Sequence, residues 1–184
     1  MISMTSDKKI ALILFFMLGV GVCTGAFFEI SMTGAGKTQL MDFLSAIFAG
    51  TGGQGFFHSF WDSLKIWTLL LLIPFFTPYL PPLAVICPFL PLLKGITLGF
   101  SATMLVETFG IKGAWYIIST MLPQNLLQIP ILCILISMSL SMCSKAKRKA
   151  LHIDARHYYL SYGIGGFIIF ISCLLEAFLM QFAL

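Results

Sequence analysis

The run Ile10 to Phe28, IALILFFMLGVGVCTGAFF, carries no charge, and three further apolar regions follow it: Ile66 to Phe109, Ala114 to Met142 and Tyr162 to Leu184. A helix rising about 1.5 Å per residue needs about 20 residues to cross a hydrocarbon core of about 30 Å. Within lipid each backbone group must be satisfied inside its own segment, which makes helix the default. The region Ile66 to Phe109, interrupted only by prolines, glycines, Lys94 and Glu107, is too long for one crossing and suits two. The expected fold is therefore all-α, a polytopic membrane helix bundle of about five transmembrane helices, with helices two to four broken by proline.

Composition leaves room for nothing else. Of the 184 residues 59% are hydrophobic and only 10% charged, against about a quarter charged in a soluble domain. Residues 1–184 read as a single integral membrane domain. Lys8 and Lys9 before the first run resemble the basic start of a signal peptide. The apolar stretch is longer than a signal core, however, and Thr24-Gly25-Ala26-Phe27-Phe28 offers no convincing cleavage site, so a retained first helix is expected.

Positive charge sets the orientation. Lys8, Lys9, Lys145, Lys147, Arg148, Lys149 and Arg156 form two clusters that hold seven of the eleven Lys and Arg. The other connections hold Lys37, Lys65 and Lys112, accompanied by Glu29, Asp42, Asp62 and Glu107. If both clusters are cytoplasmic, an even number of crossings separates them, and four satisfies that. The expected protein is a multi-pass cell-membrane protein with its N-terminus cytoplasmic and its C-terminus extracytoplasmic.

The long region divides in one of two ways. Helix two spans Leu64 to Leu80, turns at Pro81-Pro82 and gives way to Leu83 to Val106, with Lys94 near mid-membrane. Alternatively helix two is bent and ends near Leu93, with Lys94 at the surface. Prolines 74, 78, 81, 82, 88 and 91 permit either, since each removes a backbone donor and bends a helix.

The outer loop, residues 29–65, contains QLMDFLSAIF, Gln39 to Phe48, in which Leu40, Leu44 and Phe48 share a helical face. An amphipathic helix lying on the outer leaflet is the plain reading; a surface for a partner is the sharper one. GTGGQG, Gly50 to Gly55, is expected to end that helix.

Motifs for chemistry are sparse. Gly34-Ala35-Gly36-Lys37-Thr38 looks like the end of a phosphate-binding loop, but Ser31 stands where the pattern needs glycine, and no α/β domain surrounds it. The five cysteines read as small buried hydrophobes. His152 and His157 flank Asp154 at a spacing that does not stack them on one face, so no metal site is expected. No catalytic constellation and no cofactor site are expected either.

Polar residues inside the helices are the better lead, because burying them in hydrocarbon is costly. Pro123-Gln124-Asn125 interrupts helix four, followed by Gln128 and Pro130. Gln124 lies about 15 Å below Ala114, near the bilayer centre. Gln124 and Gln128 share a face, and Pro123 frees a carbonyl that an amide can satisfy. Glu176 is the only acidic residue well inside an apolar run, and a Lys94–Glu176 pair is the hypothesis. The amides serve either as glue between helices or as part of a substrate or ion path. Gly21 and Gly25 form a G-x-x-x-G spacing that permits close helix contact, within one chain or between two.

The run Met121 to Pro130, MLPQNLLQIP, resembles the L-P-Q-N-L-x-x-I-P segment of the stage II sporulation protein M family. The stretch LKGITLGF, Leu93 to Phe100, the GIKG turn, Gly110 to Gly113, and the entry to helix two, Phe60 to Leu69, are also similar. The resemblance implies a membrane protein of sporulating bacteria that is not an enzyme. It implies a scaffold in the mother-cell membrane during engulfment, holding a peptidoglycan amidase and a lytic transglycosylase. Its outer loop would then face the wall. Membrane lipid is the other expected partner, nucleic acid is not expected, and a homo-oligomer stays open. The competing class is a small membrane transporter or channel subunit, since broken helices with polar residues at mid-depth serve such proteins.

Overall fold

The computed structural model describes residues 2–32, 34–48, 56–147 and 155–183. The described residues are helical, in the order α1 (Ile2–Ser31), α2 (Ala35–Phe48), α3 (Phe56–Phe76), α4 (Leu83–Ile86), α5 (Phe89–Phe109), α6 (Ile111–Tyr116), a π-helical segment (Ile117–Met121), α7 (Leu122–Lys147) and α8 (Ala155–Ala183). Among them, four spans are long and apolar enough to cross a membrane: Lys9–Ser31, Leu83–Phe109, Ile111–Ser144 and Arg156–Leu179. Their outer faces are what lipid requires, with Leu12, Phe16, Phe27 and Ile111 all more than 70% exposed. A surface so apolar has no stable place in water.

The fifth expected crossing corresponds to α3. Its first half carries His58, Asp62 and Lys65, joined along the helix by His58–Asp62 at 3.1 Å and Lys65–Asp62 at 3.3 Å, and only its second half is continuously apolar. Its place in the bundle follows from its neighbours. Gly21 of α1 abuts Gly95 of α5, and farther along both helices Val22 abuts Gly99 and the Phe28 ring lies tilted beside Phe100, centroids 6.3 Å apart. The two helices thus run parallel, so the chain between them must travel back. The helix that returns is α3, antiparallel to α8 with Phe60 beside Phe170 and Phe75 beside Tyr162. One core cluster draws Leu14 from α1, Trp67 from α3, Leu90 from α5, Leu132 and Ile136 from α7 and Ile169 from α8.

The α1–α5 seam is built on glycine. A Cβ on Gly21 would sit 2.3 Å from the Leu92 carbonyl oxygen, and one on Gly25 2.1 Å from that of Ile96; Gly95 and Gly99 are blocked equally by Leu18 and Val22. Gly21-x-x-x-Gly25 therefore meets a second such pair, Gly95-x-x-x-Gly99, within the same chain. Small residues at these positions let two backbones touch, which in lipid substitutes dispersion for the hydrophobic effect.

Proline places the breaks. The chain has the first of the two divisions read from the sequence: α3 ends at Phe76, turns fill residues 77–82, and helix resumes at Leu83. The helix α3 begins within the residues read as outer loop, at Phe56 rather than Leu64, because FFHSFWDS continues the helical pattern upstream. Pro74 leaves α3 only two more residues, and Pro78 supplies no N–H to the last turn. The Tyr158 hydroxyl compensates: it lies 3.3 Å from the Pro74 carbonyl, which Pro78 leaves without its helical partner, and 2.9 Å from that of Phe75. Thr77, fully buried, donates to Ile73 O at 3.1 Å and lies 2.9 Å from Cys87 Sγ. At Gly110 the backbone turns with φ +60, and the Gly110 N–H caps Val106 O at 2.8 Å. The expected helix Gln39 to Phe48 is the body of α2, and the GTGGQG stretch lies outside the described residues. Cys87, Cys133, Cys143 and Cys173 are buried and Cys23 is exposed.

Candidate functional site

Four helices place polar side chains at one level inside the bundle. Lys94 comes from α5, about 16 Å along the span that begins at Leu83. Ser63 and Trp67 come from α3, Gln124 and Gln128 from α7, and Ser172 and Glu176 from α8. The Lys94 ammonium stands 4.6 Å from the centre of the buried Trp67 ring, a cation–π contact in a setting with little competing water. The Glu176 carboxylate interacts with Ser63, Lys94, Gln124 and Gln128. Ser172 donates to the Gln124 backbone carbonyl at 3.3 Å, which ties α8 to α7 at this level. Gln124 and Gln128, one turn apart, thus meet the same carboxylate, as their shared face requires.

Lys94 and Glu176 belong to one cluster without touching: among the described residues no ion pair within 4.0 Å joins them. Their charges act on each other across the cluster. Gln124 Oε1 and Gln128 Nε2 are buried and lie outside good hydrogen-bond geometry, although both amides face the carboxylate.

The break at Pro123 takes a specific form. Residues Ile117–Met121 wind as a π-helix directly ahead of it, which widens the turn so that the proline ring clears the preceding carbonyls. The helix therefore continues through Pro123 and also through Pro130, which lies inside α7. Asn125 Nδ2 donates to the Met121 carbonyl at 2.7 Å, one turn back along its own helix; the carbonyl that Pro123 leaves without an N–H lies a turn before the proline and is not the one this amide reaches. Ser119 and Thr120 bind back to Trp115 O and Tyr116 O at 2.8 and 2.6 Å. Asn125 thus supports the helix locally rather than joining Glu176, and its Oδ1 is left buried and unpaired.

A second polar site escaped the sequence reading. Lys37, the lysine of the phosphate-loop look-alike, lies 3.2 Å from Glu29 Oε1 and 2.8 Å from Glu107 Oε2. Glu29 is fully buried. The lysine clamps the start of α2 between the C-terminal ends of the parallel α1 and α5. The Glu107 carboxylate, with Glu29 behind it, holds the Lys37 ammonium above the usual lysine range. A lysine so engaged is not available to a phosphate. The three residues are far apart in sequence at Glu107, so no local spacing announced them. Among the described residues no group of three or more His, Cys, Asp or Glu could hold a metal ion; His152 and Asp154 lie outside them.

No curated protein and no solved structure matches the chain. The family model of Stage II sporulation protein M matches residues 11–180, from the first apolar helix to the last turns of α8 and across both polar sites. The four long apolar helices make the chain a multi-pass membrane protein, and by the match it belongs to the stage II sporulation protein M family, which is not known as an enzyme family.

Proposed function

We propose that this protein is a non-enzymatic membrane scaffold of the sporulation engulfment complex, anchoring a peptidoglycan amidase and a lytic transglycosylase at the mother-cell membrane. The observation that carries the reading is family membership over residues 11–180. Two physical features support it. The glycine seam between α1 and α5 makes a stiff frame rather than a mobile one. The Lys37 clamp holds α2 at the end of the bundle where α1 and α5 terminate, and the positive-inside rule assigns that end to the outer, wall-facing side. The N-terminus is then cytoplasmic and the C-terminus outside, and α2 is the natural contact for wall-degrading partners.

The test is affinity purification of the full chain from sporulating cells, followed by mass spectrometry. Both hydrolases are expected to co-purify, and a chain lacking residues 35–48 is expected to insert normally but lose them. Recovery of no wall hydrolase with the intact chain would overturn the scaffold.

A second reading, a small transporter or channel subunit, rests on one observation: the buried polar cluster of Lys94, Glu176, Gln124 and Gln128 inside the bundle. The same deletion separates the two readings, since a transporter would keep its flux without α2.

A further inference from the structure

The surface between α3 and α8 carries a groove of about 470 Å³, walled by Leu71, Leu72 and Phe75 on one side and by Tyr159 and Phe170 on the other. At Tyr159 and Gly163 it runs into a second groove of about 630 Å³, headed by Arg156 and walled by Leu160, Ile164 and Phe167. The trough they form has Arg156 at one end and walls that are apolar except for Thr68; past Leu64 and Leu72 the surface continues to Lys65, whose ammonium is paired with Asp62 at 3.3 Å.

Its floor contains Gly163 and Gly166. A Cβ on either would meet no atom within 4 Å. Packing inside the chain therefore requires neither glycine, unlike Gly21, Gly25, Gly95 and Gly99. Glycine in a helix interior is destabilising relative to alanine. What these two glycines provide is open width on the outside of the bundle.

The chemistry of the trough is graded along its length. Arg156 is exposed in the first turn of α8. Beside it the hydroxyls of Tyr79 and Tyr159 contact each other. Arginine pairs with phosphate oxygens in a fork geometry, and tyrosine favours headgroup depth. Lys145, Lys147, Arg148 and Lys149 precede α8 in sequence and add positive charge to the same connection, which attracts anionic lipid. From Gly163 inward the lining is apolar but for the Thr68 hydroxyl. A cation and two phenols at the mouth of an apolar trough complement a molecule with one anionic head and a long hydrocarbon tail. A partner helix would need an anion at one end only to match Arg156.

We propose that this trough binds an anionic phospholipid, its phosphate on Arg156 and one acyl chain lying over Gly163 and Gly166. The ligand would be held along α8 and wedged against α3, so the lipid becomes part of the bundle wall.

The test uses the full chain reconstituted in vesicles of phosphatidylglycerol and phosphatidylcholine, extracted in mild detergent and weighed by native mass spectrometry. The wild type is expected to retain phosphatidylglycerol in preference to phosphatidylcholine. Arg156→Gln is expected to reduce that preference about fivefold, the factor for one cation at an anionic surface, and Arg156→Lys to recover part of it. Gly163→Leu with Gly166→Leu is expected to expel lipid of both kinds while helix content stays unchanged, because neither new Cβ has an atom within 4 Å and the branches extend into the open groove. Should the leucine variant not fold, quenching of Trp67, which lines the trough, by brominated phosphatidylglycerol in a Trp61→Phe, Trp115→Phe chain decides the matter. Quenching that Arg156→Gln weakens supports the site. The proposal is overturned by an unchanged lipid ratio in Arg156→Gln or by leucine variants that keep their lipid. It is also overturned by leucine variants that dissociate an oligomer without losing lipid, which would make the trough an interface between copies.

Discussion

Gly21 and Gly95 bring the backbones of α1 and α5 into direct contact: a Cβ on Gly95 would lie 2.4 Å from the Leu18 carbonyl oxygen and 3.1 Å from the Gly21 Cα. Both obstacles are backbone, which cannot rotate away. Gly95→Ala and Gly25→Ala are each expected to destabilise the bundle by about 1–3 kcal/mol, the usual cost of overpacking, or to split α1 from α5. Gly19→Ala, with nothing within 4 Å, is the control and is expected to be neutral. Thermal unfolding in detergent, with disulfide crosslinking between engineered cysteines on α1 and α5, measures both effects.

The Lys37 clamp makes an asymmetric prediction. Lys37→Gln leaves Glu29, fully buried, without its cation, whereas Glu107→Gln leaves a carboxamide at a position 43% exposed. Lys37→Gln is therefore expected to free α2 to proteolysis far more than Glu107→Gln. If the two variants are cleaved equally, the clamp does not hold α2.

The same clamp has a defined response to base. Lys37 is held above its ordinary value of 10.5, first by Glu107 and then by Glu29. Its contribution is fully present below that ordinary value and is lost as pH rises through the higher folded value. Protection of α2 is thus expected to be flat from neutral pH to about pH 9 and to fall only in stronger base. A loss of protection centred near neutral pH would contradict the assignment to Lys37.

In the mid-bundle cluster, Lys94→Glu and Glu176→Lys each place two like charges at one level. Both single variants are expected to lower the yield of folded protein, and the double variant to recover part of it. Recovery stays partial because a carboxylate at position 94 repels the Trp67 ring face that the ammonium favours. Two defects that simply add, measured by fluorescence-detected size exclusion, would show that the charges act independently.

Gln128 separates stability from function. It is 1% exposed and its amide faces the buried Glu176 carboxylate, so Gln128→Leu takes a donor away from that carboxylate. The variant is expected to melt a few degrees lower and to sporulate poorly if the cluster has a task. A variant that is less stable and still sporulates would mark Gln128 as glue between helices.

Much of this was legible in sequence for a simple reason: crossing lipid is a matter of length and hydropathy, which any segment displays by itself. The break at Pro81-Pro82 and the helix Gln39 to Phe48 were equally local. Gly21-x-x-x-Gly25 could be read as a contact surface, but not its partner, because Gly95 and Gly99 sit in an equally apolar stretch and the pairing spans distant segments. The role of Lys37 was hidden by the same distance and masked by a look-alike motif. Its one available signal was the placing of Glu29 and Glu107 at the ends of two apolar runs, where an acidic residue needs a cation. The shared face of Gln124 and Gln128 was readable from their spacing; that Ser63 and Trp67 would join them was not. Prolines announced a disturbance in helix four, but the widened turn at Ile117–Met121 depends on tertiary packing.

The seam between α1 and α5 also bears on how the chain is made. Gly25 enters the membrane roughly seventy residues before Gly99 is synthesised, about 4 to 15 s at ordinary elongation rates. Throughout that interval the glycine face of α1 has only lipid to cover it, and α2 has no Glu107 to complete its clamp. The helix α2 can therefore settle only after α5 arrives, which makes its docking a late report that the first half of the bundle has assembled.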